Sequence, residues 1–249
     1  RQIPPMCSCG QEPASKHDWG SFYFLSTFRR YPDLDQAALA QRQTRLLNMW
    51  YFLKHLDDMG CGVVDYAHAL HTWAKQSGQT DETFRNIIAD GDGPYWGVAF
   101  DHGHKAIYLR SPRKVAKYLM IEHTSFPYID SPLDNLFGGI ALKRARAYAA
   151  THCRKDPKPI SRAVLRKTRG VCTVTMLRYE QTAGVAVKKN FAIHDGEERT
   201  REDIAYLMPD IRQDDPSVTG SKMVNGKCFL IHQRPNTYFG PSIQHRGRQ

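Results

Sequence analysis

Leu165-Arg-Lys-Thr-Arg-Gly-Val-Cys-Thr-Val-Thr-Met-Leu-Arg-Tyr179 is the stretch of this 249-residue chain on which the reading of its fold turns. Gly170 divides it. Glycine takes a positive φ without steric cost, so a tight turn here separates two short helices, predicted over 161–168 and 173–183. Ser161 is placed to cap the first of them. In the second, the 3.6-residue period sends Met176 and Tyr179, with Val171 ahead of them, toward the first helix. The same period leaves Thr173, Val174, Leu177, Arg178 and Gln181 pointing outward.

The stretch lies inside a window of uneven charge. From Lys143 to Lys189 there are thirteen bases against two acids, Asp156 and Glu180, a formal +11 in a chain whose net charge is +10. Residues 1–130 balance, with 14 bases and 14 acids. A positive face held in one place suits a polyanion, because Lys and Arg that neutralise phosphates release condensed counterions. The candidate phosphate contacts are Lys143, Arg144, Arg146, Arg154, Lys155, Lys158, Arg162, Arg166, Lys167, Arg169, Lys188 and Lys189. Ser161 joins them through the amides of the helix it caps.

Gly170-Val171 followed by Thr175-x-x-x-Tyr179 resembles the helix-turn-helix of prokaryotic DNA-binding proteins. The resemblance covers about twenty residues and implies that 173–183 enters a major groove about 12 Å wide. Thr173, Val174, Leu177, Arg178 and Gln181 are then the base-reading candidates. Two residues depart from the family's pattern: Arg166 stands where a small residue is usual, and Arg169 where an apolar one precedes the turn glycine.

Working outward, the chain divides into an extended arm (1–18), a helical domain (19–130) and a basic domain (131–249), with a turn-rich joint at Ser125–Pro132. In the first domain an amphipathic helix is predicted over 35–59, with Leu39, Leu46, Trp50, Leu53 and Leu56 on one stripe and Asp33 or Asp35 as its cap. A second helix carries Val63, Ala67, Leu70 and Ala74. Thr80 caps a third, bearing Phe84, Ile87 and Ile88. Strand-like runs 95–100 and 105–109 then form a hairpin, and Pro112 starts a further helix. In the basic domain one helix is predicted over 133–153. After the two short helices come a strand over 185–193 and a hairpin around Asn225-Gly226. Three helices and a hairpin are the order of a winged helix. The expected fold is therefore mainly α with short β-hairpins, two tandem winged-helix or helix-turn-helix domains, an architecture similar to that of plasmid replication initiators. The third helix of the first domain is acidic (Asp81, Glu82, Asp90), so a nucleic-acid contact there falls to the wing, through His102, His104, Lys105 and Arg110. Self-association or a protein partner is the other use of that domain.

Rival chemistries find little in the residues. Cys7, Cys9 and His17 make three zinc ligands where a structural site wants four. His102-Gly-His104 with Tyr128 or Tyr148 suggests a metal-dependent single-strand nicking enzyme, but glycine in a turn replaces the usual strand residue between the histidines. Asp90 with Asp92, and Asp214 with Asp215, sit in loops where acids are ordinary turn formers. No phosphate-loop, dinucleotide or nucleophile-elbow motif is present. Tyr238, Phe239, Arg246 and Arg248 offer an RNA-binding alternative through stacking. No apolar run approaches the roughly 18–20 residues of a membrane span. Six scattered cysteines suit reduced thiols in a cytosol. The sequence thus leads to a cytoplasmic, nucleoid-associated binder of double-stranded DNA with no catalytic residue, metal or cofactor. Replication initiation or partition of a mobile element is the first expectation, transcriptional regulation the second.

Overall fold

The computed structural model describes residues 27–101, 103–122, 127–153, 156–195, 208, 212–214, 216–225 and 227–241. The arm with Cys7, Cys9 and His17 lies outside them, as do His102, Ser125, Arg154, Lys155, Asp215, Gly226, Arg246 and Arg248.

The first unit is built around a helix whose middle has no solvent face. Strand β1 (Thr27–Arg30) leads into α1 (Pro32–Ala40) and α2 (Thr44–Leu56), and residues Leu47 to Leu53 of α2 are all buried. A helix buried all round is a core helix, and this one carries Trp50, Tyr51 and Phe52 into the main cluster. The single helix predicted over 35–59 is therefore two. The break falls at residues 41–43, where Arg42 takes a φ of 61° and closes the end of α1. Asp35 is not a cap. It lies in the first turn of α1, buried, and accepts from Arg30 Nε at 2.8 Å and Nη2 at 2.9 Å.

Residues 63–65 form strand β2 (Val63–Asp65), and α3 (Tyr66–Ser77) starts only after it, with the Asp65 carboxylate accepting from His68 N–H at 2.7 Å. The shift puts Ala69 and Trp73 inside; of the predicted stripe Leu70 packs half-buried against the core, while Val63 and Ala67 are exposed. Helix α4 (Asp81–Asp90) is capped by Thr80 and buries Phe84, Ile87 and Ile88, as its pattern indicates. Strands β3 (Trp96–Asp101) and β4 (His104–Leu109) complete an antiparallel sheet in the order β2-β4-β3. Helix α5 (Pro112–Tyr118) follows, and β5 (Ile129–Pro132) returns to pair with β1.

The second unit opens with a 3-10 turn (Leu133–Leu136) whose Leu133 and Leu136 still belong to the first core. Gly138-Gly139 then interrupts the helix predicted over 133–153, leaving α6 (Ile140–Ala150). Helices α7 (Arg162–Arg169) and α8 (Thr173–Ala183) flank Gly170, whose φ is 64°. Strands β6 (Ala186–Asp195), β7 (Val218–Val224) and β8 (Lys227–Phe239) form an antiparallel sheet ordered β6-β8-β7, and Ile160 bridges to Asn236 on β8. Both units thus run helix, extended residue or strand, helix, helix, strand, strand, with the first extended segment beside the last strand; β7 is additional in the second.

The fold is a mixture of α and β, not mainly α. About 47% of the described residues are helical and 28% lie in strands, in three small antiparallel sheets. The hairpin expected around Asn225 is present, with Val224 opposite Lys227, but its strands are longer than predicted: β8 runs for 13 residues and pairs with β7 on one side and β6 on the other. Pro235 and the polar run from Gln233 to Thr237 conceal that strand, because they break the apolar alternation that marks one.

α1 belongs to both units. Leu34 and Ala38 enter the first core, while Leu39 enters the second with Ala145, Tyr148, Leu165, Met176 and Tyr238. A Cβ added to Gly170 would lie 3.3 Å from Ala40 Cα and O, so the α7–α8 turn rests on the end of α1. The start of α1 is tied in turn to β1 by the Arg30–Asp35 pair. Asp35→Ala leaves a buried guanidinium without its carboxylate, and urea unfolding should show a loss of about 3–5 kcal/mol.

Candidate nucleic-acid interface

Glu180 organises the candidate site. It falls on the same stripe of α8 as Met176, is buried, and accepts from Arg162 Nη1 at 3.1 Å, Arg162 Nη2 at 3.0 Å and Tyr148 O–H at 3.1 Å. One carboxylate therefore joins α6, α7 and α8. A two-pronged arginine contact adds direction as well as strength, since both N–H vectors of the fork are used. Burial, with the neighbouring Glu180 charge, raises the Tyr148 phenol far above its ordinary pKa, which keeps it a donor. The sequence places Glu180 only among the acids of the basic window and Tyr148 only among candidate nucleophiles of a nicking enzyme; the structure buries that phenol against Glu180 instead. The available signal was an acid on the inward stripe of a basic segment.

That junction sets which face of α8 is outside. Met176 and Tyr179 are buried; Thr173, Val174, Leu177, Arg178 and Gln181 are all exposed, as the helical period predicts. Val174 is 58% and Leu177 46% exposed, so the projecting face is apolar as well as cationic. Ser161 caps α7 by accepting from Val164 N–H at 3.2 Å. Cys172 precedes α8, and its thiol, 3.2 Å from the Thr175 hydroxyl, is held below the usual cysteine pKa by that contact.

The cations divide into a displayed set and an internal set. Lys158, Arg166, Lys167, Arg178, Lys188 and Lys189 are exposed. Lys188 and Lys189 are neighbours on β6, where successive side chains ordinarily alternate between faces. A register shift between Lys188 and Asn190 breaks the alternation. Opposite it stands Pro235, which cannot donate to a ladder, and Asn190 Nδ2 instead donates to Pro235 O at 2.8 Å and Thr237 Oγ1 at 2.9 Å.

Five phosphate candidates are corrected in whole or part. Lys143 is buried at 4% exposure with its Nζ 5.2 Å from the Trp73 ring centre. Arg169 is buried too, which accommodates its departure from the apolar residue expected there. Arg162 is committed to Glu180, and Arg146 Nη1 donates to Asp134 O at 2.8 Å and Phe137 O at 3.0 Å. Arg144 is partly buried beside Tyr179. Counting cations along the chain could not separate these roles, because each depends on a neighbour remote in sequence.

On the first unit, His104 and Lys105 are exposed on β4, and Lys105 Nζ lies 4.1 Å from the Tyr66 ring centre. Arg110 is partly buried and donates from Nε to Gly93 O at 3.1 Å. Among the described residues no three His, Cys, Asp or Glu side chains cluster so as to hold a metal ion, and no helix is long and apolar enough to cross a membrane. Comparisons with family models, with curated proteins and with solved structures find no match to this chain.

Lys143 provides a test of the internal set. Burial, with repulsion from Arg45 and Arg146, pushes its pKa down to about 8. The unfolded chain keeps this proton up to the ordinary lysine range, so between pH 8 and about 10.5 it binds more protons than the folded one. Stability contributed through this group therefore rises with pH across that interval. Lys143→Met should raise the urea midpoint at pH 7 and reduce the rise seen in the parent between pH 7 and 10.

Proposed function

We propose that this chain binds double-stranded DNA, with α8 as the groove-reading helix and no catalytic chemistry of its own. The observation that carries this reading is the outward face of α8. Thr173, Val174, Leu177, Arg178 and Gln181 project together, with Arg166 and Lys167 displayed on α7 and Lys188 and Lys189 on β6. Arg178 offers a planar fork suited to guanine O6 and N7. Val174 and Leu177 offer apolar contact to thymine methyls. The lysines supply phosphate contacts that orient the protein without reading sequence. In each unit a helix pair precedes antiparallel strands, two in the first and three in the second, and the last strand lies beside the segment that precedes the pair. Two such units in one chain suit a factor that reads DNA with one and assembles with the other. We therefore favour a replication initiator or partition protein of a mobile element, ahead of a transcriptional regulator. A place among nucleoid-associated cytoplasmic proteins belongs to the same proposal.

Two measurements test it. With six exposed cations at phosphates, log affinity should fall against log salt with a slope of about −5, a loss of roughly 10³-fold between 50 and 200 mM. Arg178→Ala should cost about 1–3 kcal/mol on a selected duplex and much less on a scrambled one, while Lys188→Ala with Lys189→Ala weakens both alike. Equal loss on both duplexes in Arg178→Ala would remove α8 as the recognition helix. Single-stranded DNA, structured RNA, and supercoiled plasmid with Mg²⁺ or Mn²⁺ in parallel tubes expose the RNA-binding and nicking alternatives.

A further inference from the structure

Arg42 occupies a backbone position that suits glycine. At the end of α1, Gln43 N–H donates to Ala38 O at 2.7 Å and Arg42 N–H to Leu39 O at 3.2 Å, a closure whose left-handed residue is ordinarily glycine. Gly78, Gly170 and Gly184 hold the corresponding place after α3, α7 and α8. Arginine there brings its Cβ against the backbone, as Met120 does after α5, but Arg42 also carries an exposed charge that closing the helix does not use, which leaves a role for it.

Its surroundings indicate that role. Three helix ends meet around the α1–α2 turn. Gly170 rests against Ala40, and on the other side Gln41 Nε2 donates to Leu119 O at 2.9 Å and Gln43 Nε2 to the Tyr118 hydroxyl at 3.0 Å. The turn therefore lies between the α7–α8 turn and the end of α5. On α5, Lys114, Lys117 and Tyr118 stand at i, i+3 and i+4 and share one face, and both lysines are exposed, as is Arg42. From Arg110 to Lys117 the chain carries four bases and no acid, although the unit as a whole is neutral.

We propose that Arg42, with Lys114 and Lys117, continues the duplex phosphate track from the α7–α8 turn onto the first unit. The inference rests on the reading of α8 as a DNA-binding helix and adds a contact that the charge window does not contain. A purely structural role is the competing account: a cation near helix C-termini offsets their partial negative charge. Such a role acts on stability and leaves salt dependence alone.

Arg42→Gly in the full chain separates the two, because glycine removes the backbone strain together with the charge. On a random-sequence duplex, the log–log salt slope should shrink by about 1, with the melting temperature unchanged or higher. Arg42→Lys should restore the slope, and Lys114→Ala with Lys117→Ala should shrink it by up to about 2. A slope unchanged in Arg42→Gly overturns the proposal, and a lower melting temperature with that unchanged slope assigns Arg42 to the helix ends. Absence of duplex binding by the parent chain overturns this proposal together with the reading of α8. Binding that responds to Arg178→Ala but not to Arg42→Gly overturns this one alone.

Discussion

A single buried carboxylate holds the second unit together. Glu180 accepts two hydrogen bonds from Arg162 and one from Tyr148, and so joins three helices whose own lengths are only 8 to 11 residues. Helices this short are marginal alone and take their stability from packing. Apolar contacts among Leu165, Met176 and Tyr179 are non-directional and would tolerate some rotation of α8 about its axis. The bidentate pair does not, because both oxygens of Glu180 are used in a fixed plane. The exposure of Thr173, Val174, Leu177, Arg178 and Gln181 on one side is a consequence of that constraint.

The same contact changes the meaning of the charge window. Arg162 and Glu180 neutralise one another, Lys143 and Arg169 are inside, and Arg146 is engaged with backbone carbonyls. What remains outside is a smaller set of cations: Lys158 ahead of α7, Arg166 and Lys167 on α7, Arg178 on α8, and Lys188 and Lys189 on β6. A formal charge of +11 thus overstates the displayed charge and understates its organisation. Burying cations without a matched acid is costly, and Lys143 answers by shedding part of its proton affinity beside the Trp73 ring.

Between the units, α1 acts as a shared wall. Its residues enter both cores, its start is tied to β1 through Arg30 and Asp35, and its end supports the α7–α8 turn. Gly170 consequently meets two demands at one position. Its positive φ ends α7, and its missing side chain lets Ala40 approach. The sequence pattern announces the first demand and is silent on the second, since Ala40 is 130 residues away.

What the chain determined by itself was local: the caps Thr80 and Ser161, the left-handed glycines, the helices carrying Phe84 and Met176, and the two-faced pattern of α8 whose orientation the Glu180 junction then fixes. Each depends on contacts within about one helical turn, so periodicity and residue type suffice. Tertiary structure decided the rest. It split the predicted 35–59 and 133–153 helices, turned Asp35 from a cap into a buried partner of Arg30, and drew β8 past Pro235 by pairing it on both sides. It also sorted the basic residues into displayed and internal ones. For β8 and for cations such as Lys143 and Arg162 the deciding partner is distant along the chain; Arg30 is only five residues from Asp35, but their pairing depends on burial that the fold supplies, so whether a charge faces water or a carboxylate is a property of the packed fold.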